Sequence, residues 1–325
     1  MKKIYSLLII LLFTILVAAG CGTTDKEDVK ETDKTTKTEQ TENGAFPVTI
    51  TDASDKEVVI ETEPKKIVSL MPSNTEISFA LGLGKKIVGV TDNDNYPEEV
   101  AEIEKVGGME FNVEKIISLK PDLVLGFGGS AMTSSEEGLE QIRNAGITVL
   151  VVNDASKFDD VYEAINMVGT ATGTKEEAET IVADMKAKVD EIKEKAAAIK
   201  EEDRQRVYIE VYPGPGGITA AGTNTFMDEM LTIINAENVV TEKEWPQIDQ
   251  EAIIAANPDV ILTTYGFYTE DPVGVVTGRE GWQDVDAVKN KRIVDVESDT
   301  VTRSGPRLVE GVEEVAKAVY PEIFK

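Results

Sequence analysis

Asn112 to Leu125 reads N-V-E-K-I-I-S-L-K-P-D-L-V-L, and Asp249 to Leu262 reads D-Q-E-A-I-I-A-A-N-P-D-V-I-L. Each copy sets a capping-type residue two places before a glutamate, continues with Ile-Ile, and breaks at Pro-Asp into an apolar run. A candidate strand stands at a matching distance upstream of each, Ile67 to Leu70 before the first and Val207 to Val211 before the second. Such a repeat restricts the chain to two similar lobes, each built on the same supersecondary unit.

Around the repeat, short β-rich runs alternate with helical patterns, the mark of α/β architecture. In the first half, strands are expected at Ile67 to Leu70, Lys86 to Val90, Asp122 to Leu125 and Ile147 to Val152. Helices are expected at Asn74 to Leu83, Val113 to Leu119 and Glu136 to Asn144, the last closed by Gly146. Runs such as I-T-V-L-V-V are apolar on both faces, which fits mostly parallel central sheets covered by helices.

Residues 174 to 203 contain neither Gly nor Pro and are rich in Ala, Glu and Lys. Ile181, Met185, Val189, Ile192, Ala196 and Ile199 form one apolar stripe at helical spacing. About 30 residues at helical rise make a rod of roughly 45 Å. The spacing leaves two readings open, a rod that packs along both lobes and the seam of a coiled-coil dimer. With the rod as the bridge, the expected organisation is an N-terminal lobe over 47–172, a bridging helix over 173–204 and a C-terminal lobe over 205–325.

Lys2 and Lys3 precede an apolar run from Leu7 to Ala19, and Ala18-Ala19-Gly20 lead into Cys21, the chain's single cysteine. The run is shorter than a membrane span needs, so residues 1–20 read as a signal peptide. The pattern resembles a bacterial lipoprotein signal, with Ala18 where that pattern more often has Leu. The resemblance implies cleavage before Cys21, which then carries lipid and anchors the chain to the membrane. Residues 21–46 are nearly all polar or charged and cannot bury enough apolar area to fold, so they form a tether, and folding is expected to begin near Phe46.

The formal charge of −27 excludes general nucleic-acid binding, because phosphates would be repelled. The absence of histidine excludes Ser-His-Asp chemistry and imidazole-type metal sites, and one cysteine excludes an internal disulfide framework. Gly126 to Ala131 matches the loose form G-x-G-x-x-A after a strand, which leaves a secreted nucleotide-binding enzyme as an alternative of another class. Glu114 and Glu251 fall in the first turns of matching helices, with Asn112 and Asp249 as N-caps. There the helix dipole stabilises an acid by about 0.3–1 kcal/mol. Their duplication also makes them matched docking points for a pseudo-symmetric partner. Tyr96, Phe127, Tyr212 and Trp245 fall in loops or at strand ends, where the ligands of such sheets collect. Arg303 is a cation in a loop able to hold a polar group.

K-K-I-V-S-L-M-P-S-N-T-E-I-S-F-A-L-G-L-G at 65 to 84, the first repeat copy, E-W-P-Q-I-D-Q-E at 244 to 251 and R-S-G-P-R-L-V-E-G at 303 to 311 resemble the substrate-binding lipoproteins of cobalamin and iron-siderophore ABC importers. The resemblance covers nearly all of 47 to 321. It implies a helical-backbone fold, two α/β lobes joined by one long helix that close slightly on a ligand. It implies no catalysis, no resident metal or cofactor, and a monomer outside the cell membrane. Its partners would be a small-molecule ligand and an ABC permease dimer with its ATPase subunits. By position, Glu114 and Glu251 correspond to the glutamates that dock on the permease. Met71, Pro72, Ser73, Phe127, Trp245, Asp299 and Arg303 correspond to ligand-contacting positions, and Tyr96 and Tyr212 join them as candidate ligand contacts from their places in a loop and at a strand end. The implied ligand is cobalamin, with an iron-siderophore or haem as the alternative. Near Gly108-Met109 and near Ile218 the cobalamin binders carry aromatics that this chain lacks, which thins the ligand cage.

Overall fold

The computed structural model describes residues 45–128, 133–214 and 217–325. The signal peptide, Cys21, nearly all of the tether and the Gly129 to Ala131 part of the glycine loop lie outside the described residues. A hairpin, β1 (Val48–Thr51) and β2 (Glu57–Ile60), comes first. The first lobe continues with β3 (Ile67–Ser69), α1 (Pro72–Ala80), β4 (Ile87–Gly89), α2 (Val113–Leu119), β5 (Leu123–Phe127), α3 (Thr133–Asn144), β6 (Thr148–Val152) and α4 (Phe158–Thr172). One helix, α5 (Lys175–Ala196), leads to β7 (Arg206–Tyr212), β8 (Ile218–Ala220), α6 (Phe226–Ile233), β9 (Glu237–Asn238) and β10 (Gln247–Ile248). The chain ends with α7 (Gln250–Ala256), β11 (Val260–Thr263), α8 (Pro272–Thr277), α9 (Asp286–Lys289), β12 (Ile293–Asp295), α10 (Ser298–Thr302) and α11 (Leu308–Val319).

The first sheet runs β4-β3-β5-β6 and is parallel throughout. In the second, β7, β11 and β12 are parallel, and β9 joins β7 in the same sense. The second sheet is mixed at one side, where β8 runs antiparallel to β7 and β10 antiparallel to β8. The repeat maps onto α2-β5 and α7-β11. Both helices end on a left-handed residue, Lys120 (φ 51°) and Asn257 (φ 47°), immediately before Pro-Asp. The aspartate then opens the neighbouring strand. Asp122 accepts from the Lys65 and Lys66 amides at 2.8 and 2.9 Å, and Asp259 from the Arg206 amide at 2.8 Å.

Strand alternation divides each sheet between two apolar clusters. Leu123, Leu125, Leu150 and Val152 face inward, while Val124, Val149 and Val151 pack outward with Ile116 and Ile142. In the second sheet Val207, Ile209, Val260 and Leu262 face inward, and Tyr208 and Ile261 pack outward with Trp282. The inward faces of both sheets belong to one continuous cluster, joined through α4, α5, α6 and α11.

Helix α5 is shorter than the expected rod. Its 22 residues span about 33 Å. Beyond Ala196 the chain leaves the helix, Ile199 folds back into the core, and its carbonyl accepts from Asn235 Nδ2 at 3.0 Å. The buried stripe is Ala178, Val182, Met185, Val189, Ile192 and Ala196. Steps of four and three put Val182 rather than Ile181 on the core side, and Ile181 is half-buried. Because this stripe packs within the chain, it cannot serve as a dimer seam. Gly173 (φ +75°) closes α4. Four residues earlier, a Cβ on Gly169 would lie 2.5 Å from that of Ala178, so only glycine allows α4 and α5 to meet there.

Candidate functional site

A cavity of about 900 Å³ opens between the lobes. Met71 and Phe127 reach it from the first lobe with the loop Asp154 to Lys157, and Phe226, Glu244, Trp245, Thr302 and Ser304 reach it from the second. Met71 stands where β3 gives way to α1, with Pro72 at the first helical position and no side-chain cap. Phe127 is the last residue of β5. Trp245 remains 44% exposed, with its ring edge-on to Phe226 at 5.9 Å. Pro72 and Ser73 are buried beside Met71. A smaller, mainly apolar pocket in the first lobe shares Met71 and Phe127, and is lined further by Pro72, Met109 and Phe111. Met109 thus lines the region where the sequence lacks a tryptophan.

The cavity wall is acidic. Asp154, Asp228, Glu229 and Glu244 line it with Lys157. Burial, reinforced by the charge of Asp160, pushes the Asp154 carboxyl above its ordinary range against the bond from the Ala155 amide. Glu229 accepts from the Phe158 amide at 2.7 Å, so a side chain of α6 caps the first turn of α4 across the lobes.

Tyr96, Asp299 and Arg303 come together in a separate interlobe network. Arg303 Nη1 donates to Glu76 Oε1 at 3.0 Å and to Asn95 Oδ1 at 2.7 Å, and Nη2 lies 2.9 Å from Asp299. Asn95 Nδ2 donates to Asp299 at 2.8 Å. Arg307 donates from Nε and Nη2 to Glu76 at 2.9 and 2.7 Å, and its guanidinium lies 3.8 Å from the centre of the Tyr96 ring. The bond to Glu76 holds Arg307 above its usual range despite partial burial. Tyr212, at the end of β7, stacks obliquely on Tyr268 at 6.4 Å, and Tyr268 meets Phe267 edge-on at 4.7 Å.

Glu114 and Glu251 are exposed in the first turns of α2 and α7. Asn112 caps α2 by accepting from the Lys115 amide at 2.9 Å. Asp249 occupies the N-cap position of α7, but its side chain makes no capping bond. Instead its backbone carbonyl accepts from the Ala252 amide at 3.0 Å. Glu251 borders a second cavity, about 770 Å³, that reaches Arg279.

Sequence reasoning did not single out Glu76, Arg307, Phe267 or Tyr268. Phe267, at 73% exposure, carried a usable signal, since it stands in the loop after β11, three places beyond Thr264, the repeat equivalent of Phe127.

The model of the family described as periplasmic binding protein matches residues 67–300. An uncharacterised ABC transporter substrate-binding lipoprotein of Bacillus subtilis (strain 168), YvrC, is 50% identical over the full length of both chains. A cobalamin-binding protein of Halobacterium salinarum is 28% identical over 85% of this chain and 75% of its own. Among solved structures, a possible iron-binding (periplasmic solute-binding) protein from Staphylococcus epidermidis ATCC 12228 superposes with a TM-score of 0.72. It is 34% identical, over 80% of this chain and all of that one.

Proposed function

The chain belongs to the periplasmic binding protein family of non-enzymatic transport components, and from that premise we propose that it captures a corrinoid, cobalamin foremost, for an ABC importer. The observation that carries this reading is the interlobe cavity, large enough for a cofactor-sized ligand, with Trp245 and Phe127 brought to it from opposite lobes. Aromatic faces would cover a planar macrocycle while side-chain hydrogen bonds fix its orientation. The cobalamin-binding relative supports the choice of ligand.

The mature chain is held outside the cell membrane by lipid on Cys21, and the tether lets the folded part reach the permease. Exposed Glu114 and Glu251, at the same place in the two repeat units, dock on matched cationic positions of a permease dimer, which its ATPase subunits drive. The chain acts as a monomer, in keeping with the burial of the α5 stripe. Among the described residues no helix is long and apolar enough to cross a membrane. A second reading, an iron-siderophore or haem as ligand, is favoured by the likeness to the Staphylococcus epidermidis protein.

Calorimetric titration with cyanocobalamin, ferric siderophores and haemin tests the choice. Single-site heat with cyanocobalamin alone is the expected result. Silence with cyanocobalamin and heat with a siderophore or haemin would transfer the assignment to the second reading.

A further inference from the structure

Two guanidinium groups cross from the second lobe to the first, and both are committed to one carboxylate. Glu76 lies on α1 at 3% exposure and takes three hydrogen bonds, one from Arg303 and two from Arg307. Arg303 is held further by Asp299 at 2.9 Å, by Asn95 Oδ1 at 2.7 Å and by the Asn93 carbonyl at 3.3 Å. With Glu76 and Asp299 set against the two arginines, the clasp carries no net charge. Thr302 and Ser304, the neighbours of Arg303, line the interlobe cavity. The backbone that carries Arg303 therefore borders the ligand space while its guanidinium serves Glu76.

Among the described residues, the wall left to a ligand has four carboxylates, Asp154, Asp228, Glu229 and Glu244, against the ammonium of Lys157. Asp228 and Glu229 take hydrogen bonds from neutral donors, the Asn238 side-chain amide at 3.0 Å and the Phe158 backbone at 2.7 Å, which leave their charge in place. Like charges brought together between low-dielectric walls repel far more than in bulk water, whereas carboxylates readily accept from N–H groups.

We infer that Glu76 sets the charge specificity of the cleft: by withdrawing Arg303 and Arg307 it leaves a site for neutral or cationic ligands rich in N–H donors, such as primary carboxamides, and closed to carboxylate-bearing ligands and anionic iron chelates. The inference rests on the interlobe cavity being the ligand site. Glu76 acts as a positioning residue, through the two arginines.

The test compares cyanocobalamin with its monocarboxylic acids, in which one peripheral carboxamide has been hydrolysed to a carboxylate at nearly constant shape. Titrated calorimetrically into the wild-type chain at neutral pH and low salt, the acids should bind about tenfold or more weakly than the parent. The gap should narrow as salt screens the wall. In E76Q the gap should also narrow, because the two guanidiniums lose their counter-charge, and a merely structural role for Glu76 would weaken parent and acids alike. Acids that bind wild type within about twofold of the parent would overturn the inference, and that comparison needs no variant to fold. Absence of heat with cyanocobalamin would end the corrinoid reading by itself. Charge selection is then read from ferrioxamine B, a monocation, against ferric enterobactin, a trianion: preference for the monocation supports it and preference for the trianion overturns it.

Discussion

Glu210 lies on β7 with no exposed side-chain surface and is gripped by Arg279, itself only 10% exposed. Arg279 Nη1 and Nη2 reach its two oxygens at 2.6 and 2.5 Å, and the Tyr265 hydroxyl donates to Oε1 at 2.7 Å. Replacing Arg279 with Met keeps much of the aliphatic stem, gives up the guanidinium that lies over the Trp282 ring, and leaves the carboxylate with one neutral donor, the Tyr265 hydroxyl. Breaking a buried pair from one side costs about 3–5 kcal/mol, because a charge is stranded. Taking up a proton offers an escape, and protonating an ordinary carboxyl at neutral pH costs about 4 kcal/mol, which caps the loss near that figure. The same escape gives a pH signature. Because the folded variant holds this proton while its unfolded chain does not, its deficit against wild type should shrink on acidification by about 1.4 kcal/mol per pH unit until the unfolded carboxyl takes up a proton too, near its ordinary value. Urea unfolding of both proteins from pH 7.5 down to pH 5 measures this. A deficit below about 1 kcal/mol, or one that stays constant with pH, would refute the account of a stranded charge. In E210Q/R279M the pH dependence of the deficit should vanish.

Burial raises the Tyr162 phenol to about 12 from its ordinary 10.0, and raises Tyr208, Tyr265, Tyr268 and Tyr320 as well. Stability from these groups is intact below the unfolded-state value near 10 and lost as pH rises through the folded-state values. Unfolding midpoints that stay level to pH 12 would contradict it. Trp245 emission should be quenched by bound cyanocobalamin, and W245F should abolish that component while leaving the signal of buried Trp282. Quenching of equal size in W245F would place Trp245 outside the cleft. The double variant E114A/E251A should bind ligand as wild type does and lose uptake in cells, whereas normal uptake would remove the docking assignment.

Helix α2 occupies the expected Val113 to Leu119 without a shift, because local chemistry marks both ends: Asn112 caps the start and left-handed Lys120 before Pro121 makes the stop. The end of α5 has no such punctuation. Ala197 and Ala198 are good helix formers, and the helix stops there because Ile199 is drawn into the core and Asn235 takes its carbonyl. Helix α4 is missing from the sequence expectation for a related reason. Gly169 argues against a helix by propensity, yet it is required by the close approach of Ala178. Where the residues beside an element decide its limits, the sequence shows them. Where a partner far along the chain decides, it does not.

The site divides along the same line. Phe127 and Trp245 are legible because strand ends and loops collect ligands, and both reach the cavity. Arg303 is legible as a cation, but the carboxylate that claims it lies 227 positions away on α1, and no local pattern ties the two. The clasp also differs in kind from the apolar attachment between the lobes. The apolar cluster through α5 is non-directional and spread over many side chains, so it tolerates the loss of any one polar contact. The Glu76 clasp is directional, and its arginines remain charged when the carboxylate is removed. Loss of Glu76 should therefore change the charge that a ligand meets in the cleft more than it changes how the lobes are held together.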